Sequence, residues 1–199
     1  KDTDNRVFGD DFEFPALTDE NTIRFTVNVV GDWRQLDIVA SGGRMVIDWG
    51  NGRIQKIEDP SSMTGGMVYR YGNKGSYEVK IWAEELQFID ISGLLLPLSY
   101  LYLGNMPRMK SLALNSISDT RELDLNTFCP NVESINIGSF ADLERLEIKD
   151  CSRLRSIQVY SNPKLTSIEF GSHPETESLY CSYNDLSSLS LKSLPALRN

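Results

Sequence analysis

From Leu86 onward the chain repeats one pattern about every eleven residues: an apolar residue, two variable ones, Leu or Ile, one variable residue, another apolar one. The first position reads Leu86, Leu98, Met109, Thr120, Val132, Leu143, Leu154, Leu165, Thr176 and Leu186. The second reads Ile89, Leu101, Leu112, Leu123, Ile135, Leu146, Ile157, Ile168, Leu179 and Leu189. The third reads Ile91, Leu103, Leu114, Leu125, Ile137, Ile148, Val159, Phe170, Cys181 and Leu191. Self-similarity at a fixed period marks a solenoid, whose stacked units bury one continuous core. Eleven residues are too few for a full turn, so two units should make one coil with a strand on each side. The stack is then flattened between two parallel sheets. Ten units give about five coils, a rod ~25 Å long at ~4.8 Å per stacked strand. Helix content should be almost nil, because only about five residues separate successive strands.

Residues 21–84 follow a shorter period. Ile23, Phe25, Val27 and Val29 alternate with Arg24, Thr26 and Asn28, the signature of a half-buried strand. Leu36, Ile38 and Ala40 continue it, and Ser41-Gly42-Gly43 turns the chain. Met45-Val46-Ile47 leads into Asp48-Trp49-Gly50-Asn51-Gly52, where Asn-Gly is a turn signal. Two more strands are expected at Val68–Tyr71 and around Tyr77, Val79 and Ile81, which together suggest a small β-sandwich.

Side chains alternate across a strand, so the residues between the repeated apolars point outward. Successive units lie on opposite sheets, and sorting by parity gives two faces. One takes Phe88, Asp90, Ser111, Ala113, Ser134, Asn136, Ser156, Gln158, Ser178 and Tyr180, and is small and mostly uncharged. The other takes Tyr100, Tyr102, Glu122, Asp124, Arg145, Glu147, Ser167, Glu169, Ser188 and Ser190. Two readings of these faces stand side by side: solvated sheet surfaces charged to deter association, or, on the second face, a candidate binding surface of Tyr100, Tyr102, Asp124, Glu147 and Glu169, since exposed aromatics beside acidic groups suit a basic peptide or a sugar ring. Carboxylates in a straight ladder do not wrap an ion, so calcium is not expected.

The 199 residues carry a net charge of −8, unevenly spread. In residues 1–20, two cations face seven carboxylates, which reads as a flexible acidic tether. Residues 21–85 balance, with eight of each sign, and residues 86–199 hold ten cations against thirteen carboxylates. No basic stripe is present for nucleic acid. No apolar run approaches the ~18 residues of a membrane span, and Lys1-Asp2-Thr3-Asp4 does not open a signal peptide. The chain has one histidine, His173, and no H-E-x-x-H or phosphate loop, so an enzyme is not expected, nor a cofactor or metal. The three cysteines do not form a disulfide framework. Leu197 begins an eleventh unit that stops at Asn199. Leu189, Leu191, Leu194 and Leu197 are therefore expected to self-associate with another copy through the C-terminal coil, or to meet further sequence.

Two resemblances add to this. Ile47-Asp48-Trp49-Gly50-Asn51-Gly52, then Tyr69-Arg70-Tyr71 and Gly75-Ser76-Tyr77-Glu78-Val79-Lys80-Ile81, resemble a PKD-type domain, with Asn51 where that family usually has Asp. Ser178-Leu179-Tyr180-Cys181-Ser182-Tyr183-Asn184-Asp185-Leu186-Ser187-Ser188-Leu189-Ser190-Leu191 is similar to the short leucine-rich repeat of Bacteroides-type and internalin-like surface proteins. The fold implied is all-β: a small PKD-like β-sandwich at 21–84, then a flattened two-sheet leucine-rich-repeat solenoid at 86–199. The corner column Cys129, Cys151 and His173, with Asn162 at the opposite corner, is implied to be buried and to pack or hydrogen-bond the turn. Cys129, Cys151 and Cys181 are expected to be free and protected, although neighbouring coils bring Cα atoms to ~5 Å and leave a Cys129–Cys151 bridge geometrically open. The function implied is a noncatalytic, extracellular or outer-surface binding protein, lipid-anchored in its precursor, that engages a protein in contact or adhesion. The alternatives are a glycan ligand and a purely structural stalk.

Overall fold

A computed structural model describes residues 18, 21–32, 34–63, 65–93 and 95–198. The expected tether at 1–20 lies almost wholly outside the described residues. The chain is all-β, 43% strand and 5% helix, with a β-solenoid of about four turns. The first six strands are β1 (Thr22–Val29), β2 (Gln35–Ser41), β3 (Met45–Asp48), β4 (Ile54–Ile57), β5 (Met67–Arg70) and β6 (Gly75–Ala83). The coils supply β7 (Phe88–Ser92), β8 (Leu98–Leu103), β9 (Ser111–Asn115), β10 (Ile117–Ser118), β11 (Glu122–Asp124), β12 (Ser134–Gly138), β13 (Arg145–Glu147), β14 (Ser156–Tyr160), β15 (Ser167–Glu169) and β16 (Ser178–Tyr180).

Every strand read from alternation in 21–84 is present. The β3–β4 hairpin is built by the Asp48–Gly52 turn, where the Asp48 carboxylate accepts from Gly50 N–H at 2.9 Å and Asn51 Oδ1 from Arg53 N–H at 3.3 Å. Gly50 sits at φ +80°, and a Cβ there would come within 2.5 Å of the Glu78 carbonyl oxygen, so both conformation and space demand glycine. The strand β4 was not legible: Ile54-Gln55-Lys56-Ile57 spaces its apolar residues by three, out of phase with strand alternation. Trp49 stacks on Tyr69 and Tyr71 on Tyr77, and the buried Tyr71 hydroxyl donates to the Trp49 carbonyl at 3.1 Å.

Coils advance by 22 or 23 residues, so two eleven-residue units do make one turn. Ser111, Ser134, Ser156 and Ser178 are lateral partners on one side, and Glu122, Arg145 and Ser167 on the other, all in parallel register. The repeated apolar positions from Ile89 to Leu165 are buried in a core that begins at Ile23, except Leu101 and Leu103, which are partly buried and pack against it.

The junction changes the picture of two bodies placed end to end. Strands β1 and β2 pair antiparallel with β8 and β7 of the first coil. One sheet of seven strands therefore runs β16-β14-β12-β9-β7-β2-β5, and one of six runs β10-β8-β1-β6-β3-β4. A solenoid must protect the edge of its first coil. Here the sandwich does so on both faces by continuing each sheet. A third sheet of three strands, β11-β13-β15, covers the later coils opposite the seven-stranded one.

The stack has about four turns rather than the five expected. The tenth unit, Leu186 to Leu191, docks through Asp185 and Ser187 backbone bonds to Leu165 and Thr166 but forms no ladder with β15. Its Leu189 and Leu191 are 41% and 48% exposed, where the equivalent Leu123, Leu125, Leu146 and Ile148 are buried and Ile168 and Phe170 partly so. With no strand on its far side, this unit gains too little backbone pairing to hold the extended form. A short helical turn, α1 (Leu125–Phe128), is the only departure from β structure within the described coils long enough to form an α-helix.

Candidate binding surfaces

The five residues read as one surface divide between two sheets. Asp124, Glu147 and Glu169 are lateral neighbours on β11, β13 and β15, as expected. Their repulsion is offset locally. Arg145 reaches Glu147 at 2.7 Å and Glu122 at 3.6 Å, and the Asp124 carboxylate caps α1 by accepting from Asn126 N–H, Thr127 N–H and the Thr127 hydroxyl. Asp124 is thus already committed to its own backbone. A groove of about 380 Å³ opens beside Glu169, between β15 and the Ser188–Ser190 segment, with Lys149 and Phe170 on its walls.

Tyr100 and Tyr102 do not join that row. Strand β8 belongs to the six-stranded sheet, where Tyr102 faces Arg24 of β1. The Arg24 guanidinium lies 4.3 Å from the centre of the Tyr102 ring. The neighbour of β8 on its other side is β10, not β11, and Thr120 turns inward to accept the Leu101 N–H at 3.1 Å. A hydroxyl residue at the first position of that unit thus helps to split the second side of the coils into two sheets. The tyrosines are flanked by a cation rather than by carboxylates, and no local pattern announces a partner 78 residues away.

The face predicted to be small and uncharged is the outer side of the seven-stranded sheet. Val39, Asp90, Ala113, Asn136, Gln158 and Tyr180 lie in one row across it. Burial alone holds the Asp90 carboxyl above the usual carboxylate range.

Both corner columns are interior. At one, the His173 Nδ1–H donates to the Cys151 carbonyl at 3.1 Å, while Nε2 accepts from Gly171 N–H at 3.3 Å. This pair of bonds fixes the neutral tautomer, and burial lowers the His173 pKa despite the opposing effect of the carbonyl. Protonation would therefore favour the unfolded chain. Stability from this group is fully present above the ordinary histidine value, about 6.5, and is lost as pH falls below it. Urea midpoints measured between pH 7.5 and 5 should drop for the wild type by more than for His173→Asn; equal slopes would show that His173 is not the titrating group.

Cys129 and Cys151 are buried free thiols, and Cys151 Sγ points at the Cys129 carbonyl at 3.9 Å. Burial pushes the Cys151 thiol up to about 12 and raises the Cys129 thiol well above its ordinary value. Cys181, just after Tyr180 of the edge strand β16, is only half-buried, less protected than expected, because among the described residues no strand pairs with the outer side of β16. Native thiol labelling should accordingly show one faster and two slow sites, and three in denaturant. Loss of two thiols even after denaturation would mean that a 129–151 bridge forms.

At the opposite corner, Asn162 accepts from Phe140 N–H at 2.9 Å and donates to the Ile137 carbonyl and to Asn184 Oδ1, which also receives Asn162 N–H. Among the described residues no group of three His, Cys, Asp or Glu side chains is placed to hold a metal, and no helix is long and apolar enough to cross a membrane. No protein-family model, no curated protein and no solved structure matches the chain.

Proposed function

We propose that the protein is a noncatalytic binding protein, displayed on the cell surface or secreted, that makes protein–protein contacts through its sheet faces. The observation that carries this reading is the acidic row Asp124, Glu147 and Glu169, held in lateral register on the outer face of the three-stranded sheet. The single histidine is spent on two backbone bonds inside a corner, which leaves it no role as a general base. The resemblance of 21–84 to PKD-type domains and of 86–199 to surface-protein leucine-rich repeats supports the same location, with a lipid anchor in the precursor.

The three-stranded face, where Asp124, Glu147 and Glu169 are in register, fits a basic protein partner whose association weakens with salt over the ~8–10 Å screening length. A photo-crosslinking residue at Ser167 should capture a partner from the surface-protein fraction, and one at Gln158 on the opposite face should not. Capture should fall with added salt and vanish in Glu147→Ala/Glu169→Ala with the circular dichroism unchanged. Capture from Gln158 alone would move the site to the seven-stranded sheet. A turnover lost on mutating a defined residue pair would overturn the noncatalytic reading.

A further inference from the structure

The outer faces of the two sheets that enclose the later coils differ in kind. In β11, β13 and β15 every outward position except Ser167 is charged. In β9, β12, β14 and β16 the outward positions hold serine, alanine, asparagine, glutamine, glycine or tyrosine, and none holds a charge. Protein surfaces ordinarily intersperse charges of both signs, which keep sheets apart. Four successive strands without any make a neutral field ~14 Å long, at ~4.8 Å per strand, ending at Asp90 of β7. Aromatic rings gather at its far end. Tyr180 and, at the corner that follows, Tyr183 are 46% and 80% exposed. Tyr160 stands beside Tyr180, with ring centres 6.0 Å apart and planes inclined by 58°.

The sheet itself holds these groups in place. Tyr160 lies along the sheet: its hydroxyl, starting from β14, donates to Asn115 Oδ1 on β9 at 2.9 Å, two strands away. On the way the ring crosses Gly138 of β12, where a Cβ would come within 2.5 Å of Tyr160 Cζ, so glycine makes room for it. Beside the rings, Asn136, Gln158 and Tyr180 are lateral neighbours on three successive strands. Asn136 Nδ2 donates to Gln158 Oε1 at 3.4 Å, while Gln158 Nε2 has no partner among the described residues.

Each of these properties narrows the ligand. A field without charge offers no attraction to an acidic or basic peptide, or to phosphates. Exposed tyrosine rings suit the C–H face of a sugar, and their hydroxyls supply hydrogen bonds at the edge. Side-chain amides both donate and accept, as sugar hydroxyls do. The strand spacing of ~4.8 Å is about the length of one pyranose unit in an extended chain. A glycan running along the stack would therefore meet Tyr180, Gln158 and Asn136 with successive units.

We propose that Tyr160, Tyr180, Gln158 and Asn136 form a site for an extended, neutral polysaccharide on the outer face of the seven-stranded sheet. The site lies opposite the acidic row assigned to a protein partner, and it stands whether or not that partner exists. Affinity electrophoresis of the full chain through glucomannan, linear xylan and hydroxyethylcellulose tests it, with pullulan as a neutral but coiled control. The expected result is retardation by at least one of the three extended polymers and not by pullulan, unchanged by added salt. Oligosaccharides of the binding polymer should compete more strongly as they lengthen, until they span the neutral field. Tyr180→Ala should lower the affinity at least tenfold and Gln158→Ala several-fold, with the circular dichroism unchanged, since both side chains are exposed. Glu147→Ala/Glu169→Ala should leave it as it is. The proposal is overturned if none of the extended polymers retards the chain, if pullulan does so equally, or if Tyr180→Ala and Tyr160→Ala both bind as the wild type does. Retardation by poly-L-proline alone would likewise overturn it, and would make the face a site for proline-rich peptides. Crosslinking from Ser167 is untouched by all of these outcomes, so the two binding readings fail separately.

Discussion

Leu146→Asp is expected to unfold the coils. Leu146 is the second-position residue of β13, fully buried, with Leu123 and Ile168 as lateral partners above and below it. Truncating such a side chain costs about 2–5 kcal/mol through lost transfer and the cavity left behind. The carboxylate adds a desolvation cost of several kcal/mol, because no cation faces into the core at that level. The sum is comparable with the whole stability of a domain, about 5–15 kcal/mol. Circular dichroism and size-exclusion should show an unfolded or aggregated variant. Leu146→Ala, folded but less stable, serves as the control, and near-wild-type stability in Leu146→Asp would mean that the inward register is misassigned.

Asn162→Ala is expected to cost about 2–4 kcal/mol, with the loss centred on one corner. The variant orphans the buried Phe140 N–H, worth about 1–3 kcal/mol by itself, and takes one donor from Asn184. Asn162→Asp keeps an acceptor for Phe140 but buries a charge beside the Asn184 oxygen, so it should be worse than alanine. Asn184→Ala, one coil nearer the open end and only half-buried, should cost less. Urea unfolding of the three variants gives the order directly. An Asn162→Ala midpoint equal to that of the wild type would show that water replaces the side chain at the corner.

The coils were readable because each inward position answers to one demand, burial, repeated at fixed spacing. Parity alone placed Phe88, Ser111, Ser134, Ser156 and Ser178 in one column, and the registers confirm it. The acidic row Asp124, Glu147 and Glu169 followed from the same rule. What parity could not give was the company of Tyr100 and Tyr102. Their strand leaves the solenoid ladder for β1, and an antiparallel pairing between segments so distant leaves no mark in either. The role of Asp124 as a cap was likewise hidden, since its spacing in the repeat fits a strand residue and only the Leu125–Phe128 turn reveals otherwise. The weak tenth unit has the full apolar pattern, and it fails for want of a neighbour, not of side chains.

The seven- and six-stranded sheets each join strands of the sandwich to strands of the coils, while the three-stranded sheet that bears the acidic row lies within the coils. Native-state hydrogen exchange tests this most directly. The ladder amides of β1, β2, β7 and β12 should exchange only through global opening, with one common free energy and one common denaturant dependence. A separate, lower-energy opening of residues 22–83 while β9, β12 and β14 stay protected would contradict it, and would make the sandwich an independent body beside the solenoid.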